Sequence, residues 1–144
     1  MAIINFYDAD YIPEDELIYS VISSRYEGKW IFVRHKQRET FEMAAGHIEA
    51  DETPLDCAAR ELFEETGAIC FKLECICTYS VETENRKAYG RLFFAEVSEI
   101  GPVKDHSEIA EVIFLEVLPE MLTYPDIQPY LFNKTLNYIQ SRLL

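Results

Sequence analysis

The stretch GHIEADETPLDCAARELFEETGA, residues 46–68, decides the fold because its second half predicts a helix with clear ends. Thr53 can cap this helix, and Pro54 suits the first helical position, where its missing N–H costs nothing. Gly67 can take the left-handed conformation that ends a helix. The apolar residues that would share one helical face are Leu55, Ala58, Ala59 and Leu62. The pattern therefore predicts a helix between residues 53 and 67 that packs on a core.

The polar side of this predicted helix carries closely spaced carboxylates. Glu61, Glu64 and Glu65 stand at i, i+3 and i+4, and Glu52 lies at the approach to the helix. Like charges at this spacing cost a few tenths of a kcal/mol per pair unless a cation lies between them. Carboxylate oxygens are the ligands that Mg²⁺ and Mn²⁺ prefer. The spacing indicates a divalent-cation site, and a solvated helix face is the alternative that charge pattern alone leaves open.

The spacing of these residues from Gly46 matches a known family motif. Read as G-x5-E-x7-R-E-U-x-E-E-x-G-U, residues 46–68 resemble the box of the Nudix hydrolase family. All seven invariant letters are present, and a chance match is on the order of one in ten million per start position at average residue usage. The last position differs, because Ala68 stands where the motif has a large aliphatic residue. This substitution predicts weaker packing below the helix and leaves the chemistry intact.

The residues that flank the motif are also similar to the family. Residues 41–46, FEMAAG, resemble its approach to the box, with Ala44 where proline is usual. Residues 31–34 resemble a family strand that ends in a basic residue, and residues 107–112 resemble the acidic segment before a late strand.

The resemblance implies specific roles for residues of this chain. It implies that the divalent metal, Mg²⁺ or Mn²⁺, is bound by Glu61, Glu64, Glu65, the carbonyl of Ala45 and, outside the box, Glu108 with Glu111 as second choice. It implies that Arg60 orients a glutamate, and we take Glu61 as the candidate base. Arg34 and Glu42 are the candidate substrate-binding residues, ahead of Arg38 and Arg91.

Other motifs receive structural interpretations. His35 and His106 offer no metal-ligand spacing, and His47 is interpreted as a structural or solvated loop residue. Cys75 and Cys77 would place both thiols on one face of a strand, where apolar packing explains them better than zinc.

The composition limits the classes of partner. The chain has 144 residues, 49% of them hydrophobic, and a formal net charge of −13. This charge disfavours binding to nucleic acid or to an anionic membrane surface, and a protein so acidic needs cations to handle phosphates. Four cysteines and no predicted signal peptide favour a cytoplasmic protein with reduced thiols.

The remaining segments predict the other elements of one domain, residues 1–144. Strands are expected at 17–25 and 29–35, joined as a hairpin, at 40–44, at 71–79 and 89–97, and at 111–117. A final helix from about residue 126 has apolar positions at Phe132, Leu136, Ile139 and Leu143. This order predicts an α/β/α sandwich with a mixed β-sheet, an α/β (α+β) fold that the resemblance also implies.

The function implied is hydrolysis of a nucleoside diphosphate linked to another group. We expect a small nucleotide substrate, foremost a nucleoside triphosphate, including an oxidised purine one, that yields the monophosphate and pyrophosphate. A nucleotide-sugar or dinucleoside-polyphosphate hydrolase is one alternative, and a non-catalytic nucleotide-sensing module is another. The sequence is compatible with a monomer or a homodimer.

Overall fold

The computed structural model describes residues 1–142. Its elements in chain order are β1 (Ile3–Tyr7), β2 (Leu17–Tyr26), β3 (Lys29–His35), β4 (Ala44–His47), α1 (Pro54–Thr66), β5 (Ala68–Thr83), β6 (Arg86–Ile100), β7 (Ile109–Leu115) and α2 (Gln128–Arg142). Within the described residues, neither helix is long and apolar enough to cross a membrane.

The strands form one mixed sheet, as predicted. Its order is β1-β5-β6-β2-β3-β7, and β4 pairs with β2 beside the place where β2 and β3 separate. The pairing of β2 with β6 is parallel, and the other strand pairs are antiparallel. The sheet therefore brings β4 to its centre, next to β2, whose middle residues are buried.

The two helices cover opposite faces of this sheet. Adjacent residues of a strand point to opposite faces, and Val21 and Ile22 of β2 accordingly belong to different core clusters. The cluster around Val21 includes Leu131 and Phe132 of α2. The cluster around Ile22 is completed by residues of α1. The predicted α/β/α sandwich is thus confirmed.

The ends of α1 lie where the sequence predicts them. The Thr53 side chain accepts a hydrogen bond from the backbone N–H of Asp56, whose carboxylate accepts one from Thr53 N–H in return. Gly67 ends the helix with φ 82°, in the left-handed region. The predicted apolar stripe is wrong at Leu55, which is 52% exposed, and the buried residue of that turn is Cys57. Ala58 and Leu62 of the predicted stripe are buried, as expected.

The β2–β3 hairpin is confirmed, and its turn explains Gly28. Glu27 and Gly28 both have positive φ, 51° and 80°, as a two-residue turn between twisted strands requires. Gly28 adopts this conformation without steric cost.

Several element bounds differ from the predictions. β1 was not predicted, since its five residues are mostly exposed and give no clear alternation. The extended segment expected at 40–44 becomes a strand only at Ala44–His47, β5 begins at Ala68, and β7 covers Ile109–Leu115. In α2, Leu136 is 39% exposed, whereas Phe132 is buried. Leu143 lies outside the described residues.

The prediction that Cys75 and Cys77 share a face is wrong. The β5–β6 register shifts between these two residues, so a β-bulge breaks the alternation. Cys77 is buried in the cluster under α2, and Cys75 packs against the cluster under α1. Both thiols are free, which agrees with a packing role.

Candidate active site

Glu65, in the last turn of α1, is the most buried carboxylate of the predicted cluster. Its side chain is 12% exposed, and its Oε1 accepts a hydrogen bond from the backbone N–H of Ala45 on β4 at 3.0 Å. Burial, together with the nearby Glu61, Glu42 and Glu108 carboxylates, raises the pKa of Glu65 to about 8, although the hydrogen bond from Ala45 opposes this shift. The site is therefore short of positive charge around this carboxylate.

Glu61 lies one turn earlier and packs directly on Gly46. A Cβ added at Gly46 would lie 2.3 Å from both Cδ and Oε2 of Glu61, closer than real Cβ contacts allow. Glycine is required here by the close approach of the carboxylate to the β4 backbone. Burial also raises the pKa of Glu61, although the Arg60 guanidinium opposes this effect.

Arg60 connects the helix to the loop that precedes it. Its Nε and Nη2 donate to the two carboxylate oxygens of Glu52 at 2.7 and 3.0 Å, a two-point contact that fixes the guanidinium plane. Nη1 donates to Glu61, and Nη2 also donates to the His47 carbonyl at 3.2 Å. Arg60 lowers the pKa of Glu52 to about 2. The structure thus places Arg60 where it holds the Glu61 carboxylate in a set position.

Glu64 is the most exposed of the three carboxylates of the helix. Its side chain is 53% exposed and meets Arg60 only at 3.5 Å. Among residues 1–142, no group of three or more His, Cys, Asp or Glu side chains is gathered as a metal cage. The donor set nonetheless fits a hard divalent cation, because Glu61, Glu65 and Ala45 all offer oxygen atoms at one cavity. Rotation of the exposed Glu64 side chain would add a further oxygen.

Opposite α1, three residues from β3 and the following loop face the same carboxylates. His35 Nε2 lies 3.5 Å from Glu65 Oε2 and 3.7 Å from Glu42 Oε1. Arg38 Nη1 donates to Glu42 Oε1 at 2.7 Å, and the Glu42 side chain is 7% exposed. The buried Glu42 therefore joins Arg38 to the acidic site.

Arg34 does not line this cavity. Its Nε donates to Glu111 at 3.0 Å and its Nη1 to the Arg38 carbonyl at 3.0 Å, so it stands in a surface ion pair. The expectation that Arg34 contacts the substrate, and the second-choice ligand role of Glu111, are not supported by this placement. Adjacent strand residues point to opposite faces, and of these two neighbours it is His35 that lines the cavity.

The carboxylates open into a cavity of about 690 Å³. Glu42, Ala45, Glu61, Glu65 and Glu108 line one part of it, with Glu108 contributed by the segment before β7. The rest is formed by Val21, Val81, Ile127 and Leu131, by three tyrosines, by Gln128 and by the cations Arg38 and Arg86. His47 also lines the cavity, where its ring lies 4.8 Å from that of Tyr19.

Four lining residues that sequence reasoning missed or set aside are His35, Arg38, His47 and Gln128. The period-2 alternation after the buried run of β3 was the available signal for His35. Gln128 gave no signal, because it reaches the site from the start of α2.

This arrangement agrees with what sequence comparison shows. The sequence model of the NUDIX domain matches residues 17–132, which is most of the chain. The chain belongs to the NUDIX domain family. The match includes residues 46–68 and every element from β2 to the first turns of α2.

Individual NUDIX relatives show how broad this similarity is. The chain is 29% identical over 99 residues to YtkD of Bacillus subtilis, which is named for 8-oxo-dGTP diphosphatase activity. This match covers 69% of the present chain and 62% of YtkD. The chain is 33% identical over 104 residues to a Lactococcus lactis protein named for DHNTP pyrophosphohydrolase activity, with 65% of this chain and 61% of that protein covered. The chain thus spans less than two thirds of either relative.

A solved structure shows the same fold. The crystal structure of the Bacillus subtilis pyrophosphohydrolase BsRppH superposes with a TM-score of 0.76 at 22% identity, and the alignment covers 93% of this chain and 90% of BsRppH. The NUDIX fold therefore extends over nearly the whole chain.

Proposed function

We propose that this protein is a divalent-metal-dependent pyrophosphohydrolase that converts a nucleoside triphosphate into the monophosphate and pyrophosphate. The observation that carries the proposal is the convergence of Glu61 and Glu65 on Gly46 and Ala45 in the lining of a cavity large enough for a nucleotide. The names of the relatives YtkD and the Lactococcus lactis protein support this class of reaction.

The residues proposed to hold Mg²⁺ or Mn²⁺ are Glu61, Glu64, Glu65, the Ala45 carbonyl and Glu108. Such a metal, when bound, would supply charge neutralisation on the phosphates and a lower pKa for a bound water. Glu65 gains most from a nearby cation, because its pKa of about 8 shows that burial and neighbouring carboxylates disfavour its charged form.

Arg60 acts as a positioning residue in this proposal. Its two-point contact with Glu52 leaves Nη1 directed at Glu61, so the Glu61 carboxylate is held before substrate arrives. Pre-arranged groups avoid the cost of ordering them during the reaction. Glu61 is the proposed general base, and removal of Arg60 would leave it mobile.

Cationic residues around the cavity supply contacts for the phosphates. Arg38 and Arg86 line it, and Arg38 takes the place that Arg34 was expected to fill. Glu42 holds Arg38 at 2.7 Å, which orients the guanidinium but also neutralises part of its charge. Binding of a polyanion therefore depends on the divalent cations as well as on these arginines.

We also propose that the protein acts on a small-molecule substrate in a reducing compartment such as the cytoplasm. Cys57, Cys70, Cys75 and Cys77 are all unpaired, which is usual where thiols stay reduced. The net charge of −13 disfavours nucleic acid as a partner.

The test is a substrate panel assayed with Mg²⁺. Nucleoside triphosphates, nucleotide sugars and dinucleoside polyphosphates would be incubated with the wild type, with Glu65→Gln and with Glu120→Gln, an exposed control outside the cavity. Pyrophosphate release from a triphosphate, lost in Glu65→Gln and kept in Glu120→Gln, is expected. Turnover of a nucleotide sugar or a dinucleoside polyphosphate alone would move the proposal to that class. Binding without turnover of any member would favour a sensor instead.

A further inference from the structure

The segment between β6 and β7, residues 101–108, ends beside the carboxylates of α1. Glu108, its last residue, lines the cavity together with Glu61 and Glu65. The Glu108 carboxylate is close enough to Glu65 to raise the pKa of that group. Of the carboxylates proposed to hold the cation, Glu108 alone comes from outside α1. Its position therefore depends on how this segment is held.

Ser107 connects the segment to α1 through a single hydroxyl group. Its Oγ donates to the backbone carbonyl of Glu64 at 3.4 Å and accepts from the backbone N–H of Ile109 at 3.1 Å. The Glu64 carbonyl belongs to the last turn of α1, where carbonyl groups have no partner within the helix. One hydroxyl thus links the end of α1 to the backbone on either side of Glu108.

The backbone of Glu108 is also held by β3. Its carbonyl accepts a hydrogen bond from the backbone N–H of Lys36 at 2.8 Å. The register of β3 and β7 shifts beside this contact, so that His35 lies opposite Ile109. Bulges of this kind are frequent next to active sites, where they re-aim a side chain. Glu108 is therefore fixed between β3 and α1 by contacts of the backbone around it.

The middle of the segment is anchored to α1 independently of the Ser107 hydroxyl. The Lys104 ammonium lies 5.1 Å from the centre of the Phe63 ring on α1, a distance at which a cation is attracted to an aromatic face. The backbone N–H of Ser107 donates to the Lys104 carbonyl at 2.9 Å. Loss of the hydroxyl should therefore leave the segment packed on α1 and loosen only the backbone around Glu108.

We propose that Ser107 is a positioning residue, whose hydroxyl holds Glu108 beside the α1 carboxylates before a divalent cation binds. This inference rests on the proposed hydrolase function and adds to it a residue that does not touch the cation. A carboxylate that is already in place binds a cation without the cost of being ordered at that moment. Glu108 is exposed, so burial does not restrict its side chain and its backbone must be held instead.

The expected effect on cation affinity is moderate. Groups that orient metal ligands typically contribute 10- to 100-fold to metal affinity or activity, so Ser107→Ala should weaken cation binding about 10-fold. Glu108→Gln should weaken it at least as much. The combined variant should bind no more weakly than Glu108→Gln alone, since Ser107 then has no ligand left to position. Losses that multiply would instead indicate two independent contributions.

The test measures cation binding in the absence of substrate. Mn²⁺ would be titrated into metal-free protein, and the free ion would be followed by electron paramagnetic resonance. The matched control is Ser98→Ala, because the Ser98 hydroxyl also donates to a backbone carbonyl, that of Cys70 at 3.3 Å, in an exposed part of β6. This control should bind Mn²⁺ like the wild type. Ser107→Thr keeps a hydroxyl and should restore the wild-type affinity.

A second variant and a kinetic measurement distinguish positioning from general stability. Urea unfolding would show whether Ser107→Ala folds, and Ser107→Cys serves if it does not. A thiol of similar size is a weaker hydrogen-bonding group, so Ser107→Cys should lose about 3-fold in Mn²⁺ affinity. In Ser107→Ala, the Mg²⁺ concentration for half-maximal activity should rise by the same factor as the Mn²⁺ dissociation constant, and kcat at saturating Mg²⁺ should stay close to that of the wild type.

The outcomes separate this inference from the proposed function. Wild-type affinity in Ser107→Ala, an equal loss in Ser98→Ala, multiplied losses in the combined variant, or no Mn²⁺ binding by the wild type would overturn the role of Ser107. Wild-type affinity in Glu108→Gln would overturn it too, and would leave the proposed function to Glu61 and Glu65. The expected pattern of Mn²⁺ affinities, with no hydrolysis of any nucleotide, would support the positioning role and overturn the proposed function alone.

Discussion

Replacing Gly46 with alanine should move one carboxylate of the site and leave the fold intact. The new Cβ would lie 2.3 Å from Cδ and Oε2 of Glu61, whereas ordinary contacts begin at 3.4 Å. The Glu61 carboxylate must therefore retreat by about 1.1 Å, the difference between these distances. A misplacement of about 1 Å in an active site can reduce the rate roughly 10²-fold. We accordingly expect kcat to fall by about two orders of magnitude.

The stability of this variant should change little by comparison. The obstructing atoms are the end of a flexible side chain, so repacking should cost no more than about 1 to 2 kcal/mol. The matched control is Gly101→Ala, where the atom nearest to the added Cβ is the end of the Ile69 side chain, at 3.1 Å. Pyrophosphate release and thermal unfolding would be measured for both variants and the wild type. Full activity in Gly46→Ala, or an equal loss in both variants, would refute the reasoning.

Three further predictions concern α1 and its carboxylates. In metal-free protein, the pKa of Glu65 is raised from 4.5 to about 8, so between these pH values the folded state holds a proton that the unfolded state has released. The free energy of unfolding should therefore fall as the pH rises through this range. The fall should be on the order of a few kcal/mol by urea unfolding in EDTA, and an equally steep fall in Glu65→Gln would contradict this. Arg60→Lys should lower activity or apparent Mg²⁺ affinity by 10- to 100-fold, because lysine cannot make the two-point contact with Glu52. Activity would be titrated with Mg²⁺, and a curve identical to that of the wild type would contradict this prediction. Thr53→Ala should cost about 1 kcal/mol in urea unfolding with kcat unchanged, since it removes only the helix cap, and no change in stability would count against the cap.

The sequence predicts this fold well where the determinants are local. Thr53 and Gly67 act on their own helix, so the ends of α1 follow from neighbouring residues. Long apolar runs likewise predict the central strands. Strand β1 is missed because it lies at the sheet edge with few buried residues, so its position depends on β5 and not on its own pattern.

Parts of the candidate site depend on distant contacts and escape the sequence. His35 approaches Glu65 only because α1 packs against the sheet that contains β3. Gln128 contacts Met43, which lies 85 residues earlier in the chain. A β-bulge can also reverse the face of a side chain, as it does between Cys75 and Cys77. The spacing of residues within one segment cannot predict these contacts between distant segments.

The most direct test of the central claim is removal and return of the metal on a triphosphate that the protein hydrolyses. Wild-type protein would be stripped with EDTA, dialysed, and assayed for pyrophosphate and nucleoside monophosphate as Mg²⁺ is added, beside Glu65→Gln. The account predicts no turnover without metal, saturable recovery with Mg²⁺, equal amounts of the two products, and no recovery in Glu65→Gln. Full turnover in EDTA, or Mg²⁺-dependent turnover that Glu65→Gln retains, would contradict it.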